Sequence, residues 1–410
     1  MTTHNASSAA SDDAGVTRIA VLGCGRVGHA MARDLAFTLD GQPDPQVRVT
    51  AVDARDAARD RLGEDAGDAD SERPITRQTA DLGDRGAVAR IAAAHDLIVG
   101  AAPSHLGLAI LQTVIDARRP MVDISFLPEN PLPLDALAKA QGATIVVDAG
   151  VAPGMSNFIL GRARADFASV ERFACYVGGL PVARRWPWQY TAPFAPTDVI
   201  EEYTRPARFR QLGADVTHPP LTDPEYLEVP GIGTLEAFLT DGLRTVLDTV
   251  DDVPDMVEKT LRYPGHREQM MLLRDGGFFG DTPVTLADGA TVRPIDLTAA
   301  LLVDQWQTRP DDAEFTYMRC DVDAIDASEQ RVRRTVAVLD HGQGGTSSMA
   351  RTTGYAATAL VAQLRAGAFG EAGVWPLETL PASLYAPVLD YLDARGVRYE
   401  TVETTASSIG

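Results

Sequence analysis

The sequence TRIAVLG (residues 17–23) is a short apolar run that ends in a glycine, and CGRVG (24–28) follows it directly. Together they place the pattern GxGxxG between a predicted strand and a predicted helix over 26–39. There the first glycine permits a tight turn, the second lets the backbone approach a pyrophosphate, and the third allows close packing of the helix. Because free N–H groups at a helix N-terminus favour an anion, we predict a dinucleotide site here. Its loop residues are Gly23, Gly25, Arg26, Val27 and Gly28.

The next predicted strand, VRVTAVD (47–53), ends in Asp53. A carboxylate at this position accepts hydrogen bonds from the adenosine ribose hydroxyls and repels a 2′-phosphate, so the cofactor NAD is favoured over NADP. Arg55 argues the other way, because an arginine nearby can hold a 2′-phosphate. The structural alternative for Asp53 is an N-cap of the following helix.

Apolar runs continue to alternate with amphipathic ones up to Gly150. Strands are predicted over 95–103, 120–125 and 143–150, and helices over 105–117 and 133–141. This rhythm is typical of a parallel, doubly wound sheet. The carboxyl ends of such strands face the ligand crevice. We therefore add Ala102 and Pro103 to the cofactor site, and Asp123 as a catalytic candidate that can equally cap the following turn.

The pattern changes after Gly150, where longer strands of antiparallel character begin. The predicted strands are 170–181, 188–194, 206–212, 315–325 and 331–340, and the predicted helices are 235–249, 266–275, 294–307, 348–367 and 383–395. The fold class is thus an α/β Rossmann domain with an inserted α+β domain for substrate binding and dimerisation. The predicted divisions are a disordered tail (1–15), the Rossmann domain (16–150), the α+β domain (151–347) and C-terminal helices that pack back on the Rossmann domain (348–410).

The charge and the cysteines exclude several classes of protein. A formal net charge of -20 argues against a nucleic-acid partner or an anionic membrane surface, because both require a basic face. No run of about 18 apolar residues is present, so we expect no transmembrane helix. Cys24, Cys175 and Cys320 are far apart and lack CxxC spacing. We therefore expect neither a disulfide framework nor a metal site, and a cytoplasmic location.

Several further segments carry a family resemblance: VDISF, DAGVAPGMSN, VGGLP, GTLEAFLTDGLRT, EKTLRYPGH and SMARTTGY. Together with the glycine loop they resemble the saccharopine dehydrogenase-like superfamily, and within it the lysine 6-dehydrogenases. The resemblance implies a nicotinamide cofactor, an amino-acid substrate held by the inserted domain, and paired subunits. The implied reaction is hydride transfer from the carbon that bears the ε-amine of L-lysine. Hydrolysis of the imine then releases ammonia and leaves a semialdehyde that cyclises.

Such a reaction needs a base for the ammonium proton, an arginine for the α-carboxylate and a carboxylate for the α-ammonium. In EKTLRYPGH (258–266), Arg262 can bind the carboxylate and His266 can take the proton. In TDGLRT (240–245), Asp241 and Arg244 can make the remaining contacts. We assign His266, Asp241 and Asp123 to catalysis and Arg244, Arg262 and Tyr263 to substrate binding.

Each assignment has a structural alternative. Arg262 can pair with a surface acid, and His266 can be a helix N-terminal residue. Asp241 and Arg244 can form a mutual helical pair worth about 0.2–0.5 kcal/mol, and Tyr263 can be a packed aromatic residue. The loop DAGVAPG can be a hinge, a nicotinamide contact or a plain crossover turn.

Two other functions remain open. A reductase that joins an amine to an oxo acid, as saccharopine- and carboxynorspermidine-forming relatives do, needs positive charge for a second carboxylate; Arg244, Arg262 and Arg351 can supply it. A catalytically silent NAD-binding protein would retain the glycine loop and Asp53 without a basic cluster at 258–266. The long strands of the second domain have edges that need cover, which predicts a homodimer or a dimer of dimers.

Overall fold

The computed structural model describes residues 15–55, 62–67, 73–192, 196–307 and 312–405, and the predicted tail lies outside them except for Gly15. The strands are β1 Thr17–Leu22, β2 Val47–Asp53, β3 Ala66–Gly67, β4 Ile75–Thr79, β5 Leu97–Gly100, β6 Met121–Asp123, β7 Thr144–Val147, β8 Ser169–Pro181, β9 Ala207–Gln211, β10 Ala214–His218, β11 Glu225–Val229, β12 Gly233–Leu239, β13 Asp255–Arg262, β14 Val284–Thr285, β15 Thr291–Val292, β16 Glu314–Ile325, β17 Arg331–His341, β18 Gly373–Pro376 and β19 Tyr399–Thr405. The α-helices are α1 Arg26–Ala36, α2 Arg85–Ala94, α3 Ser104–Asp116, α4 Asp135–Gln141, α5 Met155–Asp166, α6 Pro196–Thr204, α7 Val246–Thr249, α8 His266–Asp275, α9 Pro294–Trp306, α10 Ser348–Arg365 and α11 Tyr385–Asp393.

The first sheet is parallel throughout and has the order β18-β7-β6-β5-β1-β2-β4-β3. Its central strands are apolar along their length because helices cover both faces. The order reverses between β1 and β5, where Leu22 pairs with Gly100. Gly100 also pairs with Asp123 of β6. The glycine loop after β1 and the ends of β5 and β6 therefore meet at one edge of the sheet, which confirms the Rossmann prediction.

The second sheet is mixed and follows the order β10-β9-β13-β8-β16-β17-β19, with the hairpin β11–β12 attached to β13. Its centre is the pair β8 and β16, which run antiparallel over almost their whole length, while β13 lies parallel to β8. Alternate residues of β8 face different cores. Phe173 packs into the core that continues into the Rossmann domain, and Tyr176 packs into a second core under α6, α8 and α9.

The C-terminal segment joins both sheets. Helix α10 packs on α1, where Gly354 allows close approach to Val27 and Met31. Residues 348–410 were predicted as C-terminal helices; the segment also holds two strands that were not predicted, because β18 extends the parallel sheet beside β7 and β19 pairs with β17 of the mixed sheet. Within the described part of the chain, none of the helices is long and apolar enough to cross a membrane.

Two other predicted elements need correction. The segment 188–194 was predicted as a strand, but in its described part, 188–192, only an isolated bridge between Ala192 and Gln307 forms. The helix predicted over 235–249 is instead β12, followed by a turn and the short α7. The last five residues of β12 are all buried, and a short apolar run covered on both sides has no periodicity that separates strand from helix.

Candidate functional site

The glycine loop has the geometry that a bound pyrophosphate requires. Gly23 has φ +96°, and a Cβ there would overlap the carbonyl oxygen of Ala101. A Cβ at Gly28 would overlap the carbonyl oxygen of Gly23, so α1 can lie against the turn only with glycine at this position. Gly25 faces open space: among the described residues no heavy atom lies within 4 Å of a Cβ built on it. The N-terminus of α1, with Gly25 as its cap residue, is thus accessible to an anion.

Asp53 lies beside this loop at the end of β2 and is buried. Its carboxylate accepts the backbone N–H groups of Cys24 and Arg55, each at 2.9 Å. The guanidinium Nε of Arg55 lies 3.5 Å from the same carboxylate, and the Arg55 side chain is 77% exposed. Each carboxylate oxygen retains a lone pair for a ribose hydroxyl. Asp53 therefore suits the predicted role, and Arg55 is also close enough to affect it.

Two carboxylates lie at the ends of neighbouring strands at the same sheet edge. Asp123 ends β6 and Asp148 directly follows β7, and both are buried. Ser125 donates its hydroxyl (2.9 Å) and its backbone N–H (3.3 Å) to Asp123. Burial raises the pKa of Asp123 to about 7, and the charge of Asp148 adds to the increase, while Ser125 and Arg244 oppose it. Asp123 can therefore exchange a proton near neutral pH.

Arg244 connects the second domain to this edge. Its Nε donates to Oδ2 of Asp148 (3.3 Å), and its Nη1 donates to the carbonyl oxygen of Leu127 (2.6 Å). The guanidinium carbon of Arg244 lies 4.6 Å from the centre of the Phe126 ring, and that of Arg205 lies 4.9 Å from it. Two arginines of the second domain thus share one aromatic ring of the first.

Two cavities lie between the domains. The larger, about 360 Å³, has a volume suited to an amino acid. The smaller, about 50 Å³, shares Arg205 and Asp241 with it. Six acidic and three arginine side chains line the two cavities: Glu129, Glu201, Glu202, Asp241, Asp248, Glu258, Arg205, Arg208 and Arg244. Acidic side chains therefore outnumber basic ones in the interdomain region.

Asp241 has a partner other than the one that the sequence suggested. Arg208 donates to both of its carboxylate oxygens, from Nε at 3.0 Å and from Nη2 at 3.2 Å. The alternative of a helical Asp241–Arg244 pair is wrong, because residues 240–245 form a turn in which Arg244 has φ +51°. Asp241 and Arg244 both line the larger cavity, as the site prediction requires.

Glu258 is an acid of the smaller cavity that the sequence did not identify. Burial raises the pKa of the Glu258 carboxyl to about 8. The Thr240 hydroxyl donates to Oε2 at 2.7 Å, which by itself lowers this pKa. A Cβ at Gly242 would overlap its carboxyl group, so this glycine provides the space for Glu258. At neutral pH Glu258 is mostly protonated and presents an O–H donor.

Arg262 and His266 belong to a buried hydrogen-bond network that also includes Glu202 and Tyr203. Arg262 donates from Nη2 to Glu202 (2.7 Å) and from Nε to the Tyr203 hydroxyl (3.1 Å). His266 Nδ1 lies 2.9 Å from the Trp188 carbonyl oxygen and must donate to it, so Nε2 accepts from the Tyr203 hydroxyl at 3.0 Å. Burial and the charge of Arg262 lower the pKa of His266 to about 3.

This network differs from the contacts that the sequence suggested for the segment 258–266. His266 is neutral with its lone pair occupied, and Arg262 is already bonded to a protein carboxylate; neither lines the two cavities. Tyr263 donates its hydroxyl to Pro181 (2.9 Å) and packs under Arg184, as its structural alternative predicted. Of the predicted catalytic residues, Asp123 and not His266 has a pKa near neutrality.

Sequence reasoning missed Asp148, Arg205 and Glu258. A signal for Asp148 was present in the sequence. Strands β2 and β6 each end in Val-Asp, and Val147, the last residue of β7, is followed directly by Asp148. The first two aspartates were assigned to the site, and the third has the same position at the sheet edge. Arg205 and Glu258 carry no comparable local signal, since their proximity to the cleft depends on the order of the mixed sheet.

Comparison with known proteins agrees with this architecture. Residues 19–146 match the model of the saccharopine dehydrogenase NADP binding domain, and residues 150–397 match that of the saccharopine dehydrogenase C-terminal domain. The chain therefore belongs to the saccharopine dehydrogenase family.

Two curated relatives and one solved structure show how far the similarity extends. Saccharopine dehydrogenase [NADP(+), L-glutamate-forming] of Pyricularia oryzae is 25% identical over 216 residues, which cover 49% of this chain and 47% of that protein. The mitochondrial alpha-aminoadipic semialdehyde synthase of Rattus norvegicus is 19% identical over 382 residues, which cover 75% and 41%. The chain thus spans less than half the length of these relatives. Apo histidine-tagged saccharopine dehydrogenase (L-Glu forming) from Saccharomyces cerevisiae shares the fold, with a TM-score of 0.75 at 16% identity over 95% of this chain and 100% of that one.

Proposed function

We propose that this protein is a nicotinamide-dependent amino-acid dehydrogenase that oxidises a carbon bearing an amino group, with the ε-carbon of L-lysine as the preferred position. The product is then the semialdehyde, which cyclises to piperideine carboxylate. The observation that carries the proposal is the buried carboxyl group of Asp123, with a pKa of about 7, at the sheet edge that also holds the glycine loop. The names of the relatives support the same class of reaction.

Asp123 is the proposed proton acceptor. An ammonium group must lose a proton before the neighbouring carbon can lose a hydride, and an efficient base has a pKa near the working pH. The carboxyl of Asp123 meets this condition with a pKa of about 7, whereas His266, with a pKa of about 3, is too weak a base. Ser125 holds the carboxyl through two hydrogen bonds and so fixes its direction.

The substrate carboxylate is proposed to bind at Arg205 and Arg244. Both guanidinium groups lie against the Phe126 ring and line the larger cavity. The Nη1 atom of Arg205 is buried and has no hydrogen-bond partner among the described residues. A buried donor without a partner is costly, and a carboxylate satisfies it with a charge-assisted bond.

The excess of acids in the interdomain region favours a substrate with more ammonium than carboxylate groups. Within these cavities Asp241 pairs with Arg208 and Glu201 pairs with Arg205, so part of the arginine charge is already balanced by the protein. L-Lysine brings two ammonium groups and one carboxylate, whereas saccharopine brings three carboxylates. Saccharopine oxidation is the second candidate, because the matched relatives are named for it.

A bound nicotinamide cofactor supplies the hydride acceptor for this chemistry. The open face of Gly25 and the N-terminus of α1 would hold its pyrophosphate, and Asp53 would accept its ribose hydroxyls. We propose NAD rather than NADP, because the buried Asp53 carboxylate opposes a 2′-phosphate.

The test is an assay of substrate and cofactor choice. The protein is incubated with NAD or NADP and with L-lysine, L-ornithine, saccharopine or L-glutamate, and the absorbance of the reduced cofactor is followed. We expect the highest kcat/KM with NAD and L-lysine. Asp123→Asn should lower kcat by about 10²–10⁴-fold, whereas Asp275→Asn, at an exposed position at the end of α8, should retain it. Turnover of saccharopine alone would replace lysine with the second candidate.

A further inference from the structure

Asp148 has a buried carboxylate oxygen that the protein does not use. Its side chain is 1% exposed, and only Oδ2 has a partner, the Nε of Arg244 at 3.3 Å. Oδ1 is buried and has no hydrogen-bond donor within reach among the described residues. A buried acceptor of this kind costs free energy until a water, an ion or a ligand satisfies it, which makes Asp148 a candidate ligand contact.

The backbone gives a second, independent indication. Asp148 has φ +52° and Arg244 has φ +51°, so both residues of this ion pair adopt the left-handed conformation. Aspartate tolerates that conformation moderately well, but arginine rarely adopts it. Strain of this kind persists where a particular side-chain position is required, and it concentrates at ligand sites.

When Asp123 is ionised, the two buried carboxyl groups described at this edge carry more negative charge than one guanidinium balances. Two carboxyl groups, Asp123 and Asp148, lie next to a single guanidinium, that of Arg244. The ammonium group of a substrate brings the missing positive charge. It would also find Asp123, the proposed proton acceptor, on the neighbouring strand.

We propose that Oδ1 of Asp148 binds the ammonium group whose carbon is oxidised, which makes Asp148 a further catalytic residue. The inference rests on the proposed function. The ammonium gives one proton to the ionised carboxylate of Asp123. A bound nicotinamide cofactor would accept the C–H electron pair as hydride, while the nitrogen lone pair forms the C=N bond and the positive charge remains on nitrogen. Oδ1 of Asp148 accepts a hydrogen bond from this nitrogen and stabilises its charge as it develops.

The experiment compares the binding of two ligands by the full-length protein. L-Lysine and L-norleucine have the same carbon chain, but norleucine lacks the ε-ammonium. Calorimetric titration in the presence of reduced cofactor measures binding without turnover. The wild type should prefer lysine. Asp148→Asn should lower the affinity for lysine roughly 10- to 100-fold and leave that for norleucine unchanged, because its amide oxygen can still accept from Arg244 while its NH₂ group faces the ammonium.

A matched control separates this role from a purely structural one. Asp340 and Arg351 form a buried ion pair of the same kind, at 3.1 Å with side chains 4% and 6% exposed. Asp340→Asn should lose a similar bond and keep the preference for lysine. Asp148→Gly provides a second variant, since glycine accepts the left-handed conformation, and it should also lose the preference.

Two outcomes overturn the inference and are distinguishable. If both Asp148 variants keep the preference for lysine, or lose both ligands equally, then Asp148 does not bind the ammonium and the proposed function stands. If the wild type itself shows no preference for lysine over norleucine, the inference fails together with the proposed function.

Discussion

Replacement of Asp123 by asparagine should stabilise the protein above neutral pH while it removes activity. Burial raises the pKa of this carboxyl from its ordinary value of 3.8 to about 7. The folded state therefore holds the proton over a pH range in which the unfolded state has released it, so stability falls as the pH rises from 3.8 to 7. At about 1.36 kcal/mol for each pKa unit, the ionised group costs on the order of 4 kcal/mol above pH 7.

The assay is urea unfolding of the wild type and of Asp123→Asn at pH 5 and at pH 8. The difference in the free energy of unfolding should grow in favour of the variant by about 2–3 kcal/mol between these values, which corresponds to two pKa units. Titrating groups that lie far from Asp123 contribute equally to both proteins and drop out of the difference. The exposed Asp275→Asn should show no such growth. A difference that is the same at both pH values would refute a raised pKa at Asp123 and with it the proposed base.

Three further predictions follow from the same geometry. Gly28→Ala should weaken binding of the cofactor about 10- to 100-fold in a calorimetric titration. The added Cβ overlaps the Gly23 carbonyl, and overpacking costs about 1–3 kcal/mol. The control variant Gly370→Ala, where a Cβ meets open space, should bind the cofactor normally. Asp53→Ala should narrow the ratio of NAD to NADP affinity, and a wild type that prefers NADP would show that Arg55 outweighs Asp53. His266→Ala should lower the free energy of unfolding by about 2–4 kcal/mol, while kcat per folded molecule and the pH dependence of kcat stay as in the wild type. If the variant instead loses a limb of the pH profile near about 6.5, His266 is the base.

The Rossmann half was predictable because its signals are local. Strand β2 was predicted to the residue at 47–53, and the glycine loop was assigned from the motif itself with the strand before it and the helix after it, which are adjacent in sequence. In a parallel sheet, covered strands read as apolar runs and helices as amphipathic ones, so that element type and order are visible together. The cofactor residues belong to these elements and inherit their position from them.

The catalytic part was less predictable because its contacts are distant in sequence. Arg244 and Asp148 are 96 positions apart in sequence, and no sequence pattern near either residue indicates that the two are in contact. The buried strand β12 carries no period that separates it from a helix, so the turn that follows it was also misplaced. Proximity to the cleft then depends on how β12, β13 and β8 pair, which the tertiary structure alone determines.

The basic residues of the segment 258–266 show why a cluster of charge does not by itself mark a substrate contact. Arg262 is buried and holds Glu202, an acid that lines the smaller cavity, while Tyr203 joins Arg262 to His266. A buried guanidinium requires such partners, and here they also fix the wall of the site. Removal of Arg262 would release Glu202 and so raise KM, which is the same result that loss of a carboxylate contact would give. KM alone therefore does not distinguish the two roles of Arg262.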